Sequence, residues 1–264
     1  MKWLACIAAL ALTILSPRLT ADAVAVHHTE GIVHGFLVLR TLDGVRLADG
    51  DLLQTAHGDR VTTRLVFRFK DGSVNDETAV YTQHERFHLV SDHLVQKGTM
   101  FPRAIDMTVN GETGEATTRY TDGHGAEKVE TEKFDVPPDL SNGLINTLLK
   151  NVTPDDAPKT IAMIAATPKP RLVKLAVSSA GAERFSIAGT RHTATHYVLK
   201  VEIGGLAGVV APIVGKQPPD AHVWILGGEF PAFVRSEQQL YLGGPVWRIE
   251  LASPTWPRPA RATK

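Results

Sequence analysis

Histidine is the first residue type to test for chemistry, because the chain carries 11 of them. His84 and His88, and His192 and His196, each stand four residues apart. That spacing places two zinc ligands on one face of a helix. On a strand it separates them by about 13 Å, too far for one ion to reach both. His192–His196 reads as strand. The run from Val80 through Phe87 and Val90 to Leu94 fits either a strand or a helix. The expectation is polar-face histidines and no metal site. His27-His28 offers at most a loose contact at the chain's start.

Nucleophilic catalysis finds no support. There is no G-x-S-x-G, and the single cysteine, Cys6, lies in an apolar stretch near the start of the chain. The acidic pairs Asp76-Glu77 and Asp155-Asp156 sit in turn-like contexts. Adjacent side chains on a strand point to opposite faces, so adjacency makes no dyad. Gly204-Gly205-x-x-Gly208 lacks the Lys-Ser/Thr that follows in a phosphate loop. No catalytic residue and no cofactor is expected. Arg64, Arg68 and Lys70 form a basic stripe, read as a solvated sheet face.

An apolar site is the alternative. Residues 204–215, GGLAGVVAPIVG, are small, apolar and uncharged, and too short to span a bilayer. They connect a long strand to Lys216-Gln217-Pro218-Pro219-Asp220. Such a connector is either buried in the core or covers an apolar cavity; burial is the favoured reading. The expected ligand-lining residues are Leu206, Val209, Val210 and Ile213 on the connector, with Trp224, Phe230, Phe233 and Trp247 nearby. Packing as core and rim is the commoner role for such aromatics.

The elements that must position these residues read as strands. Asp43-Gly44, Asp49-Gly50, Asp71-Gly72, Asn110-Gly111 and Asp122-Gly123 are hairpin-type dipeptides at short spacing. Runs rich in β-branched and aromatic residues lie between them. In Arg60 to Lys70, Val61, Thr63, Leu65, Phe67 and Phe69 share one face, and Arg64, Arg68 and Lys70 the other. Strands resume at Thr160 to Ala166, Arg171 to Ser178, Arg184 to Ala188 and His192 to Ile203. Three more follow, at His222 to Leu226, Ala232 to Arg235 and Val246 to Leu251. After Pro137-Pro138, the spacing of Leu140, Leu144, Ile145, Leu148 and Leu149 predicts a helix over 139–151. Asn151-Val152-Thr153 is a glycosylation sequon that only eukaryotic secretion would use.

The predicted fold class is mainly β: one large curved antiparallel sheet, half-barrel-like, with one central helix. Phe67-Arg68-Phe69-Lys70-Asp71-Gly72, Trp224-Ile225-Leu226-Gly227-Gly228-Glu229-Phe230-Pro231 and Gly243-Gly244-Pro245-Val246-Trp247 carry a further likeness. Together with the order of elements, they resemble the half-barrel of the outer-membrane lipoprotein carriers and uncharacterised periplasmic β-rich proteins of that shape. The resemblance spans residues 31–251 and implies binding of an apolar ligand without catalysis. It transfers no functional residue.

The chain's start sets the expected compartment. Lys2, the apolar run Trp3 to Leu15, and Ala21-Asp22-Ala23 read as a signal peptide over 1–23, cleaved after Ala23, with a cut after Ala25 nearly as good. A single β-rich domain over 24–252 and a disordered, basic, Pro-rich tail over 253–264 follow. The mature chain is then free of cysteine, and its stability rests on its core. The protein is expected to be periplasmic or secreted, with no membrane span after cleavage. The 28 basic and 28 acidic residues balance, and cleavage leaves a net charge of −1, so nothing draws the chain to nucleic acid. The expected partner is a lipid or other apolar small molecule. An envelope protein meeting a self-filled scaffold is the alternative, and a hydrolase a third.

Overall fold

The computed structural model describes residues 23–156, 159–187, 190–202 and 217–252. Two antiparallel meanders make the fold. The first comprises β1 (Val33–Thr41), β2 (Arg46–His57), β3 (Arg60–Phe69), β4 (Val74–Gln83), β5 (Phe87–Lys97), β6 (Ile105–Asn110), β7 (Glu115–Thr121) and β8 (Glu127–Lys133). The second comprises β9 (Lys159–Ala165), β10 (Arg171–Ile187), β11 (Thr190–Glu202), β12 (Ala221–Leu226), β13 (Ala232–Gln239) and β14 (Val246–Leu251). β1 pairs with β14, Leu37 opposite Leu251 and Leu39 opposite Ile249, and this joins the meanders into one open 14-stranded sheet.

Turn chemistry fixes most of the hairpins. Asp122 closes β7–β8 by accepting the His124 and Ala126 amides at its Oδ1, a local bond that competes with the ladder and ends it. Gly72, at φ 87°, closes β3–β4 in a conformation only glycine adopts freely. Asp49-Gly50 departs from the expected hairpin and lies inside β2. A Cβ on Gly50 would lie 2.5 Å from Phe67 Cε1 and 2.8 Å from Leu37 Cβ. The glycine admits a neighbouring ring and marks no turn. Arg171 to Ile187 likewise forms one strand where two are expected. A bulge between Ser179 and Ala182, with Gly181 at φ 100°, absorbs the irregularity without breaking the pairing to β11.

The predicted helix is shorter than its apolar spacing implies. α1 covers only Ile145–Lys150. Upstream, the Ser141 amide donates to the Ala162 carbonyl and the Ala162 amide to the Asp139 carbonyl. Asn142 exchanges two bonds with the Ile164 backbone. Residues 139–142 thus run along the outer edge of β9 and satisfy its ladder, and Gly143 at φ 65° turns the chain into α1. The opposite edge, β8, is guarded by charge: six of its seven residues, Glu127 to Lys133, are exposed.

The link between these two edges crosses the concave face. Leu144, Leu148, Leu149 and Val152 are buried there between the wings of the sheet. They pack among Val61, Tyr81 and Met107 of the first meander and Ile161, Val177 and Leu199 of the second. Each such side chain contributes about 1.5–3 kcal/mol by leaving water. A second core, Leu39, Phe67, Phe69, Trp247 and Ile249, lies over the β1–β14 junction.

Candidate functional site

The concave face is not filled. A cavity of about 1030 Å³ remains, bounded by the sheet, α1 and residues 27–33. Its wall alternates inward from many strands. Leu37 and Leu52, Leu65 and Leu94, and Met163, Val173 and Val201 supply apolar surface. Five lining residues, Ile32, Val33, Phe230, Leu242 and Leu251, are also exposed, which makes them an apolar rim.

The residues before β1 form a strap tied down by polar bonds. The His27 and His28 amides both donate to Asn151 Oδ1, at 2.8 and 2.7 Å. Gln83 takes both backbone groups of Glu30, and Gln54 Nε2 donates to Glu30 Oε2 at 2.9 Å. Lys150 closes an ion pair with Glu30. The strap is thereby fixed to both the helix and the sheet. Asn151, the sequon residue, is buried and used in this tie.

One side of the cavity carries a polar row on β4 and β5. The register sets Asn75 opposite Gln96 and Ala79 opposite Asp92, and places Glu77 on the same face between them. Gln96 Nε2 donates to Asn75 Oδ1 and to the Leu240 carbonyl. Its Oε1 has no hydrogen-bond partner among the described residues, and neither do Asp92 Oδ1 and Oδ2. Asp92 is 1% exposed. Burial pushes its carboxyl well above the usual range and the Glu77 charge pushes it further, while the nearby His93 backbone N–H, which makes no full hydrogen bond to either oxygen, opposes both. Burial alone pushes Glu77 up to about 7. Gly143 seats the turn before α1 on this pair: a Cβ there would lie 2.5 Å from Ala79 Cβ and 3.1 Å from Asp92 Oδ1.

Those residues expected to line a ligand site that are described separate into four places. Leu206, Val209, Val210 and Ile213 lie outside the described residues. Phe230 stands on the rim, 81% exposed, and Phe233 lines the wall. Trp247 is packed in the second core against Phe69 and Tyr241. Trp224 is on the face of β12 opposite Val223 and Ile225, away from the cavity. There it stacks on His196 at 4.3 Å with Arg235 3.8 Å from its other side.

The histidine pairs do not act as pairs. His84-Glu85-Arg86-Phe87-His88 does spell H-E-x-x-H, a pattern that binds zinc only on a helix. Here His84 and Glu85 lie in a bend and Phe87 begins β5. His192 and His196 are on β11. His196 instead meets His222 across the strands, Nε2 to Nδ1 at 2.9 Å, and Glu183 at 3.2 Å. Burial lowers the His196 pKa, and the Glu183 charge opposes that. Among the described residues, no group of three or more His, Cys, Asp or Glu is placed to hold a metal ion. The basic stripe is partly neutralised, because Arg64 holds Asp76 in a two-pronged bond.

The polar row was missed by sequence reasoning. Its only signal is two acids on the inward phase of strands whose other inward residues include Tyr81, Leu89 and Leu94. No protein-family model matches this chain, and no curated protein or solved structure matches it.

Proposed function

We propose that this protein binds a lipid or similar apolar molecule in the concavity of its sheet and catalyses no reaction on it. The reading rests on one observation: an apolar-walled cavity of about 1030 Å³ that opens through an apolar rim. Binding sites for drug-sized ligands occupy roughly 300–1,000 Å³ and are mostly apolar with a few placed polar groups. The side chains of α1 and the two meanders fill part of the concave face, and the cavity remains beside them. The rim supports the same reading, since Ile32 and Phe230 are about 80% exposed. Apolar side chains clustered at an opening favour a ligand that leaves an apolar environment. We place the protein in the periplasm or outside the cell, exported by the signal over 1–23. Cleavage after Ala23 would keep Val24 in the core, where it is 2% exposed; cleavage after Ala25 would remove it.

Native and denaturing mass spectrometry of the protein purified from the envelope fraction tests the reading. A released apolar mass is expected, together with its loss from a Val201→Trp variant that fills the wall. An apo mass in the wild type, with no uptake of added lipid, overturns it and favours an envelope scaffold.

A further inference from the structure

We infer that the ligand of this cavity is an amphiphile with a protonated amine at one end, seated against Glu77 and Asp92. The inference rests on the proposed apolar-ligand reading and names the ligand's class.

The argument begins with what the polar row lacks. Among the described residues that line the cavity, the buried, unpartnered polar atoms are Asp92 Oδ1, Asp92 Oδ2 and Gln96 Oε1. Gln96 Oε1 is an acceptor, and ionised Asp92 offers two more, the state that a cation beside it favours. A buried acceptor without a donor costs about 1–3 kcal/mol, and more if charged. Among the described residues, no cation relieves this. Lys150 lines the same cavity, but its ammonium is held by Glu30. The α1 turn presents Asn142, which is engaged with Ile164, and Gly143, which has no side chain. The strap presents Glu30, a further acid, and His27 and His28, neither of which donates to Asp92 or to Gln96 Oε1. The missing partner is therefore a donor, and two neighbouring carboxyls favour a positively charged one.

The rest of the cavity restricts what can carry that donor. Leu65, Leu94 and Met107 line the space near the row, and the far wall is Met163, Val173 and Leu175. A free polyamine or a metal ion would leave this surface facing water. An alkyl chain ending in an ammonium group covers the apolar wall and satisfies the acids together. Glu77 keeps partial contact with the cavity's interior and meets the ligand first, with Asp92 sealed beside it under Gly143.

Isothermal titration at pH 8 with decylamine and decanol, probes matched in chain length, tests the inference on ligand-stripped full-length protein. Decylamine is expected to bind at least about tenfold more tightly, as a desolvated charge pair requires. Glu77→Gln and Asp92→Asn should each narrow the ratio of the two affinities to within about threefold. Equal affinities in the wild type, or a ratio kept in both variants, overturns the amine while leaving the apolar-ligand reading standing. Binding of neither probe overturns both.

Discussion

Replacing Glu77 with glutamine is expected to stabilise the ligand-free protein at pH 8 and to leave it nearly unchanged at pH 4.5. Burial raises the Glu77 carboxyl from its ordinary 4.5 to about 7 in the folded chain. The folded state then holds its proton more tightly than the unfolded state does. Between those values the native protein binds more protons, so stability falls as pH rises through the window and the full penalty stands above it. Each pH unit is worth about 1.4 kcal/mol, which makes the penalty about 3–4 kcal/mol at most. Glu77 is only partly buried, and water in the cavity screens some of that cost, so about 1–2 kcal/mol is the working figure. The variant also removes the charge that pushes Asp92 upward, which flattens the pH profile further. Urea midpoints for both proteins from pH 4.5 to 8.5 measure the difference. Asp76→Asn is the control of opposite sign. Asp76 is the next residue along β4, points to the other face, and is held below the usual range first by its bond to Arg64. Its contribution is present above 3.8 and lost only as pH falls below that, so this variant should lose stability by the same amount across the whole range. A Glu77→Gln effect that does not change with pH would show an ordinarily solvated carboxyl and refute the reasoning.

Gly50→Ala should cost about 1–3 kcal/mol in a thermal melt, because its Cβ meets the Phe67 ring and Leu37. Gly123→Ala, with open space around it, should stay within about 0.5 kcal/mol. Asn151→Ala frees the His27 and His28 amides and the Thr147 carbonyl; a loss of about 2 kcal/mol is expected, with faster hydrogen exchange at 27–30 than elsewhere. Unchanged exchange there would show that Glu30 alone holds the strap.

The sheet was legible wherever alternation was local. Arg60 to Lys70 announces both its faces, and β3 buries Val61, Phe67 and Phe69 as read. Legibility failed where the same residue type serves two purposes. Asp49-Gly50 has the composition of a turn, yet its glycine answers to a ring on the next strand. Leu140 has helical spacing from Leu144 and Leu148, yet it serves as an edge partner for Ala162, and a backbone bridge overrides periodicity there. Proximity along the chain groups Trp224 with the cavity, whereas the period-2 rule puts it opposite Val223 and Ile225.

The acid pair shows why a binding site can be harder to read than the fold that builds it. Glu77 and Asp92 are 15 residues apart and belong to no motif. They meet because a bulge between Val80 and Tyr81 shifts the β4–β5 register. With Ala79 opposite Asp92, both acids then fall on the inward phase. A slip of one residue would turn Asp92 outward into the row of exposed charges where acids ordinarily sit. The inward phase is specified by Tyr81, Phe87, Leu89 and Leu94, which are buried in the core. The hydrophobic pattern therefore forces two carboxyls into a place where neither stabilises the fold. A sequence under selection for stability alone would replace them with leucine or glutamine. Among the described residues they lack a donor, and the ammonium of the inferred ligand would supply it.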